Sequence, residues 1–162
     1  MNKILIAKDA AEKAMTAEIV RMESLFSRGG KFIAGIIVVL GFQLLDAKTL
    51  LESASPWVKF SCYASLAALG LSLLFAFGAL ASKGFAGYPR GNKLWETLKP
   101  DNVTEEAAEE AIVQLLLKTR EQNALLNDAR ERSLFWCGWL FLAGVLLVAA
   151  SQLLDAYIDT LT

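Results

Sequence analysis

The segment between residues 83 and 102 holds the side chains with the clearest binding chemistry, Tyr88, Arg90, Lys93 and Trp95. Aromatic rings stack nucleobases and basic side chains hold phosphates, and single-stranded nucleic acids are bound in this way. The pattern therefore predicts a site for an anionic ligand. The alternative is that these basic residues, like others beside the apolar runs, contact anionic phospholipid headgroups. The residues alone leave both interpretations open.

Catalytic chemistry has little support in the sequence. The chain has no His and only two Cys, Cys62 and Cys137, which lie in two different apolar runs. The usual zinc, haem and thiol-nucleophile sites therefore lack their ligands. A Gly-rich phosphate loop, a Ser nucleophile motif and a carboxylate pair inside an apolar run are also absent from the sequence. We expect no enzymatic activity, no cofactor and no metal.

Two glutamines, Gln43 and Gln152, are the only strongly polar side chains inside the apolar runs. Each precedes by three residues the aspartate that ends its run, Asp46 or Asp155. In lipid, a glutamine side chain commonly forms an interhelical hydrogen bond. The alternative is a water-facing ring of glutamines that lines a pore in an oligomer.

Three apolar runs predict an all-α integral membrane protein. The chain is 55% hydrophobic with a mean hydropathy of +0.42, whereas soluble domains are about 45–50% apolar. The runs without a charged residue are 32–45, 60–82 and 133–154. About 20 apolar residues cross a hydrocarbon core, so the second and third runs can span it directly. The first run can also span it if Lys31 and Lys48 at its edges extend to the interfaces.

The distribution of basic residues predicts the orientation. Of the 16 Lys and Arg residues, only Lys48 and Lys59 lie between the first two runs, and none follows the third. By the positive-inside rule, the N-terminus and the 83–132 segment are cytoplasmic and the C-terminus is outside.

The elements that must position these residues follow from the runs. We predict two cytoplasmic amphipathic helices and three transmembrane helices, in this order: helix 1–30, transmembrane helix 31–51, transmembrane helix 57–83, loop 84–102, helix 103–132 continuous with transmembrane helix 133–155, and an external tail 156–162. Gly29 and Gly30 are predicted to break the first helix, either as a hinge or as a simple stop. Asn123 and Asn127 are either solvent-facing or a polar register device in a helix bundle.

An internal repeat and a run of small residues bear on assembly. Residues 21–47 and 130–156 align without a gap at an offset of 109, with 14 of 27 positions identical. Both copies run in the same direction across the membrane, as in a parallel repeat. The second apolar run is rich in Ala, Ser and Gly, which allow helices to approach closely in lipid. We therefore expect a homo-oligomer.

The whole plan resembles small membrane effectors of bacterial anti-phage systems, in particular the membrane effectors of the Hailong defence system. The residues that carry the resemblance are Tyr88-Pro89, the run from Arg120 to Asn123, and Arg130, within a layout that covers nearly the whole chain. The resemblance implies a homo-oligomeric channel that depolarises or permeabilises the inner membrane in abortive infection. A short single-stranded DNA or nucleotide second messenger, made by a partner nucleotidyltransferase, would control it.

The resemblance also implies that Arg120, Asn123 and Arg130 join the loop residues in binding this ligand. In the Hailong systems, single-stranded DNA oligomers hold the effector shut. The alternative function is a structural or scaffolding membrane subunit that binds a partner protein through its cytoplasmic helices.

Overall fold

The computed structural model describes residues 3–53, 55–81 and 104–160. These residues form three α-helices, α1 (Lys3–Glu52), α2 (Pro56–Leu80) and α3 (Glu105–Asp159), and no strand occurs among them. All three helices are long and apolar enough to cross a membrane. The predictions of an all-α fold and of three helices that could span a membrane are confirmed for the described residues.

Proline and capping residues explain where the helices begin. Pro56 occupies the first turn of α2, where its missing N–H costs no hydrogen bond. Thr104 precedes α3, and its hydroxyl accepts a hydrogen bond of 3.4 Å from the Ala107 N–H, as an N-cap side chain does. Neither α1 nor α3 contains a proline in its interior, so nothing in the backbone interrupts these long helices.

The predicted helix break at Gly29 and Gly30 is wrong, because α1 continues through both residues. A Cβ atom at Gly29 would lie 2.9 Å from Leu80 Cδ2, whereas a Cβ at Gly30 would meet no atom within 4 Å in the described part of the chain. Gly29 therefore allows α1 and α2 to approach closely. Glycine weakens a helix by only about 0.5–1 kcal/mol relative to alanine, so helical packing can override it. Whether the pair acts as a hinge stays a prediction.

The chain divides into two compact units. Unit 1 comprises Met1–Leu25 and Ser82–Ala129, and its described part is a pair of helical segments from α1 and α3. These segments run parallel, because contacting residues are separated by 107 to 109 positions along the chain. Buried residues of this unit include Ala11, Met15, Val113 and Leu116.

Unit 2 comprises Phe26–Ala81 and Arg130–Thr162, and it contains all of α2. One core cluster has Ile36, Leu69, Ala76 and Cys137 at its centre, and a second contains Leu50, Val58 and Cys62. Two serine hydroxyls link α2 to α3 within this unit, each through a hydrogen bond of 2.8 Å. Ser72 donates to the Cys137 carbonyl oxygen, and Ser133 donates to the Phe75 carbonyl oxygen.

Candidate functional site

Unit 1 contains a buried row of polar contacts between its two helical segments, here called the polar seam and formed by Met15, Glu18, Asn123 and Asn127. Both asparagine side chains are fully buried. Asn127 Nδ2 donates to the Glu18 carbonyl oxygen at 3.0 Å and to Glu18 Oε2 at 2.9 Å. Asn123 Nδ2 lies 3.6 Å from Met15 Sδ. A buried asparagine between parallel helices selects one register at a cost in stability, so the seam suits the register interpretation.

Charged residues extend the polar seam towards the surface of unit 1. Arg21 forms an ion pair of 2.8 Å with Asp128 on the facing segment, and a longer one of 3.8 Å with Glu18 on its own helix. The Arg21–Asp128 pair is partly exposed, and such pairs contribute about 0.2–1 kcal/mol. The Arg21–Asp128 pair therefore adds little stability. It supports the same register of the two helical segments that the Asn127–Glu18 hydrogen bonds select.

Arg130 lies in unit 2 and is only 3% exposed. Its guanidinium carbon lies 5.1 Å above the centre of the Phe26 ring, in cation–π geometry. Burial lowers the pKa of Arg130 from its ordinary value, because desolvation disfavours the charged guanidinium. An arginine side chain nevertheless stays protonated in proteins, so a positive charge is held beneath the surface of this unit.

The two glutamines both donate hydrogen bonds to another helix within unit 2. Gln43 Nε2 lies 3.4 Å from Cys62 Sγ on α2, and Gln152 Nε2 lies 3.1 Å from Asp46 Oδ2 on α1. Gln43 is fully buried and its Oε1 has no hydrogen-bond partner among the described residues, whereas Gln152 is exposed. Within one subunit, Gln43 therefore has the environment of an interhelical contact. A ring of Gln152 side chains in an oligomer stays a prediction.

A cavity of about 290 Å³ lies beside the Gln152–Asp46 contact. It is lined by Asp46, Thr49, Leu50, Gln152, Asp155 and Ala156, from the C-terminal parts of α1 and α3. Within the described part of the chain, no group of three His, Cys, Asp or Glu residues is placed to hold a metal ion.

The predicted ligand-binding residues fall into three groups. Tyr88, Arg90, Lys93 and Trp95 lie outside the described residues. Arg120 is exposed on α3 in unit 1. Asn123 and Arg130 are buried, the first in unit 1 and the second in unit 2. Of the three predicted ligand-binding residues that the structure describes, only Arg120 has a side chain that a soluble ligand can reach without rearrangement.

Sequence reasoning missed the partners of the polar residues, namely Glu18, Phe26, Asp46 and Cys62. The internal repeat could have indicated one of these partners, Glu18. Extended by three residues, the offset of 109 aligns Glu18 with Asn127, and these two residues are bonded in the structure. The same offset aligns Phe32 with Phe141, whose rings pack edge to face at 6.4 Å. Aligned positions of the two copies are therefore neighbours in space.

Comparison with protein-family models, curated proteins and solved structures finds no match for this chain. Function is therefore inferred from the sequence and from the geometry of the helices.

Proposed function

We propose that this protein is a non-enzymatic, homo-oligomeric membrane effector of bacterial anti-phage defence. It depolarises or permeabilises the inner membrane under the control of a short single-stranded DNA or nucleotide ligand. A partner nucleotidyltransferase makes this ligand. The proposal is carried by one observation: the chain combines three helices of membrane-spanning length with a second compact unit, in which segments of α1 and α3 form a polar seam.

The proposed orientation rests on the asymmetry of the basic residues. Fourteen of the 16 Lys and Arg residues precede the first apolar run or lie between the second and third. A reporter that is active only in the cytoplasm should be silent when fused after Thr162 and active when inserted near Asp101. The reverse activities would refute the orientation.

The proposed homo-oligomer uses small residues of α2 together with the outer faces of amphipathic helical segments. Gly70 is suited to test this interface, because a Cβ atom there would meet no atom of the described residues within 4 Å. Gly70→Leu should therefore disperse the oligomer while leaving the subunit folded. Gly41 on α1 is equally open, and Gly41→Leu is the matched control. Native mass spectrometry that finds the unmutated protein only as monomers would contradict the proposal.

Ligand control is proposed to act through the basic and aromatic residues of the 83–102 segment. Single-stranded DNA binding through phosphate contacts weakens steeply with salt, because it releases counterions. Loss of two charge contacts in Arg90→Ala with Lys93→Ala should weaken binding by at least about tenfold, since 1.4 kcal/mol is a factor of ten. Lys48→Ala with Lys59→Ala removes the same charge on the proposed outer side and should leave binding unchanged.

The assay combines binding with membrane leakage. Purified protein is reconstituted in dye-loaded vesicles, and leakage is measured with and without short single-stranded DNA or nucleotide second messengers. An inhibitory ligand, as the Hailong resemblance implies, predicts leakage that DNA suppresses in the unmutated protein and fails to suppress in the double variant. If the unmutated protein binds none of these ligands at low salt, the 83–102 segment only contacts lipid.

The alternative is a scaffolding subunit that binds a partner protein. It is favoured by exposed apolar side chains on the helix pair of unit 1, among them Ile6, Val20, Leu117 and Leu125. A scaffold should leave vesicles sealed and should lose its partner when Val20 and Leu125 are replaced by polar residues. An adjacent nucleotidyltransferase gene supports the effector, and an adjacent respiratory or secretion operon supports the scaffold.

A further inference from the structure

Unit 2 carries an exposed aromatic cluster near the N-terminal end of its part of α3. Phe135, Trp136 and Trp139 are 60%, 56% and 56% exposed. Phe135 packs edge to face on both tryptophans, with ring centres 5.9 and 6.3 Å apart. Indole and phenol rings have an apolar body and a polar atom, and they collect where hydrocarbon meets headgroups.

A second exposed aromatic group lies towards the other end of unit 2. Tyr157 on α3 is 64% exposed, and Trp57 near the start of α2 is 71% exposed. Between Trp139 and Tyr157, the large exposed hydrophobic side chains of α3 are aliphatic, namely Leu142, Leu146, Leu153 and Leu154. Exposed surface on α3 therefore changes from aromatic to aliphatic and back to aromatic.

The distance between these two aromatic groups along α3 matches the thickness of the hydrocarbon core of a bilayer. Trp139 and Tyr157 are 18 positions apart, which is about 27 Å at ~1.5 Å per residue. From Trp136 the distance is about 32 Å on the same basis. The hydrocarbon core of a typical bilayer is about 30 Å thick.

The other two helices of unit 2 agree with these two levels. Contacts between its α1 and α3 segments pair residues 104 to 109 positions apart. Exposed Lys31 on α1 is therefore level with residues 135–140, beside Trp136 and Trp139, and exposed Lys48 is level with residues 152–157. On α2, Val58 shares a cluster with Leu50 and Ile158, which places Trp57 at the level of Tyr157.

We propose that unit 2 binds the two headgroup–hydrocarbon boundaries of a phospholipid bilayer through two girdles. The first girdle is Lys31, Trp136 and Trp139, and the second is Lys48, Trp57 and Tyr157. Lysine ammonium groups reach lipid phosphates while the rings lie among the ester carbonyls. The hydrocarbon-buried part of α3 is then about 137–156, shifted towards the C-terminus from the charge-free run 133–154. This placement depends on neither the orientation nor the proposed function.

Tryptophan quenching by brominated lipids tests the girdles. The chain has tryptophans at 57, 95, 136 and 139, and variants are made that keep only Trp57 or only Trp139, with phenylalanine at the other positions. They are reconstituted in phosphatidylcholine and phosphatidylglycerol vesicles that carry bromine close to either the ester carbonyls or the acyl-chain ends. The ratio of shallow to deep quenching should exceed one for both tryptophans.

Leu146→Trp in a background without other tryptophans is the matched control, because Leu146 is 63% exposed and lies between the girdles. Its ratio should be below one. The Trp95→Phe variant keeps every girdle tryptophan and provides a second measurement with a minimal change to the fold. Stronger quenching of Trp57 or Trp139 by deep bromine, or no quenching at either depth, would overturn the proposal.

Discussion

Gly144 is the glycine at which the packing of unit 2 is tightest. A Cβ atom added there would lie 2.7 Å from both Cγ and Cδ2 of Leu69, and 3.5 Å from the Leu69 backbone nitrogen. Carbon atoms pack at about 3.5–4.0 Å, so Leu69 would have to move. Leu69 is fully buried in the core of unit 2, and such a movement disturbs its neighbours. Gly144→Ala should therefore loosen the contact between α2 and α3.

The repeat provides a matched control for this substitution. Gly35 is the aligned equivalent of Gly144, but a Cβ atom at Gly35 would lie 3.5 Å from Phe141 Cζ, an ordinary contact. Alanine gains about 0.5–1 kcal/mol over glycine in a helix at either position. Overpacking costs about 1–3 kcal/mol and applies at Gly144 alone. The two variants should therefore differ in stability by about 1–3 kcal/mol, with Gly35→Ala the more stable.

Thermal unfolding in detergent, followed by circular dichroism, measures this difference. For a chain of this size, 1 kcal/mol corresponds to about 2–4 °C in Tm. Gly144→Ala should melt below Gly35→Ala by several degrees, and Gly41→Ala should resemble Gly35→Ala because its Cβ meets nothing within 4 Å. Equal melting of the Gly144 and Gly35 variants, or a Gly144 variant more stable than the unmutated protein, would refute the packing argument.

Two further substitutions test the buried polar groups. Asn127→Ala should destabilise the protein by about 1–3 kcal/mol, because it removes the hydrogen bonds that the fully buried Asn127 amide donates to the half-buried Glu18; urea unfolding measures the change, and a loss below this range would mean that water or Arg21 replaces the amide. Gln43→Leu should leave Tm unchanged or raise it, because Gln43 makes one weak bond to Cys62 and buries an unpartnered oxygen. A marked fall in Tm for Gln43→Leu would show that the amide has a stronger partner in the assembled protein.

The sequence was sufficient for the secondary structure and for the membrane-spanning potential, because both depend on local composition. Runs of about 20 apolar residues without proline have few structures open to them in lipid other than a helix. The structure accordingly has α2 at Pro56–Leu80 and α3 at Glu105–Asp159. The same local reasoning was wrong at Gly29, where a glycine pair predicted a break. Packing against Leu80 rather than intrinsic propensity decides the conformation there.

The environment of each polar residue could not be predicted, because it depends on contacts between distant parts of the chain. Asn123 was open to either a solvent-facing or a register role, and its burial depends on Met15, which lies 108 positions away. Arg130 was predicted to bind a ligand, yet it is buried over the Phe26 ring. A side chain near the membrane surface can point to water or into a helix contact, and amino-acid type does not distinguish these outcomes.

Contacts with α2 give equivalent residues of the two repeat copies, 21–47 and 130–156, different environments. Gln43 and Gln152 occupy equivalent positions, as do Gly35 and Gly144. Gln43 faces Cys62 on α2 and is buried, whereas Gln152 bonds Asp46 and stays exposed. Gly144 lies against Leu69 of α2, whereas Gly35 lies against Phe141 of α3. Because α2 has no second copy, it contacts the two repeats through different positions, and equivalent residues acquire different environments. Substitutions at equivalent positions should therefore have unequal effects, although the two copies share half of their residues.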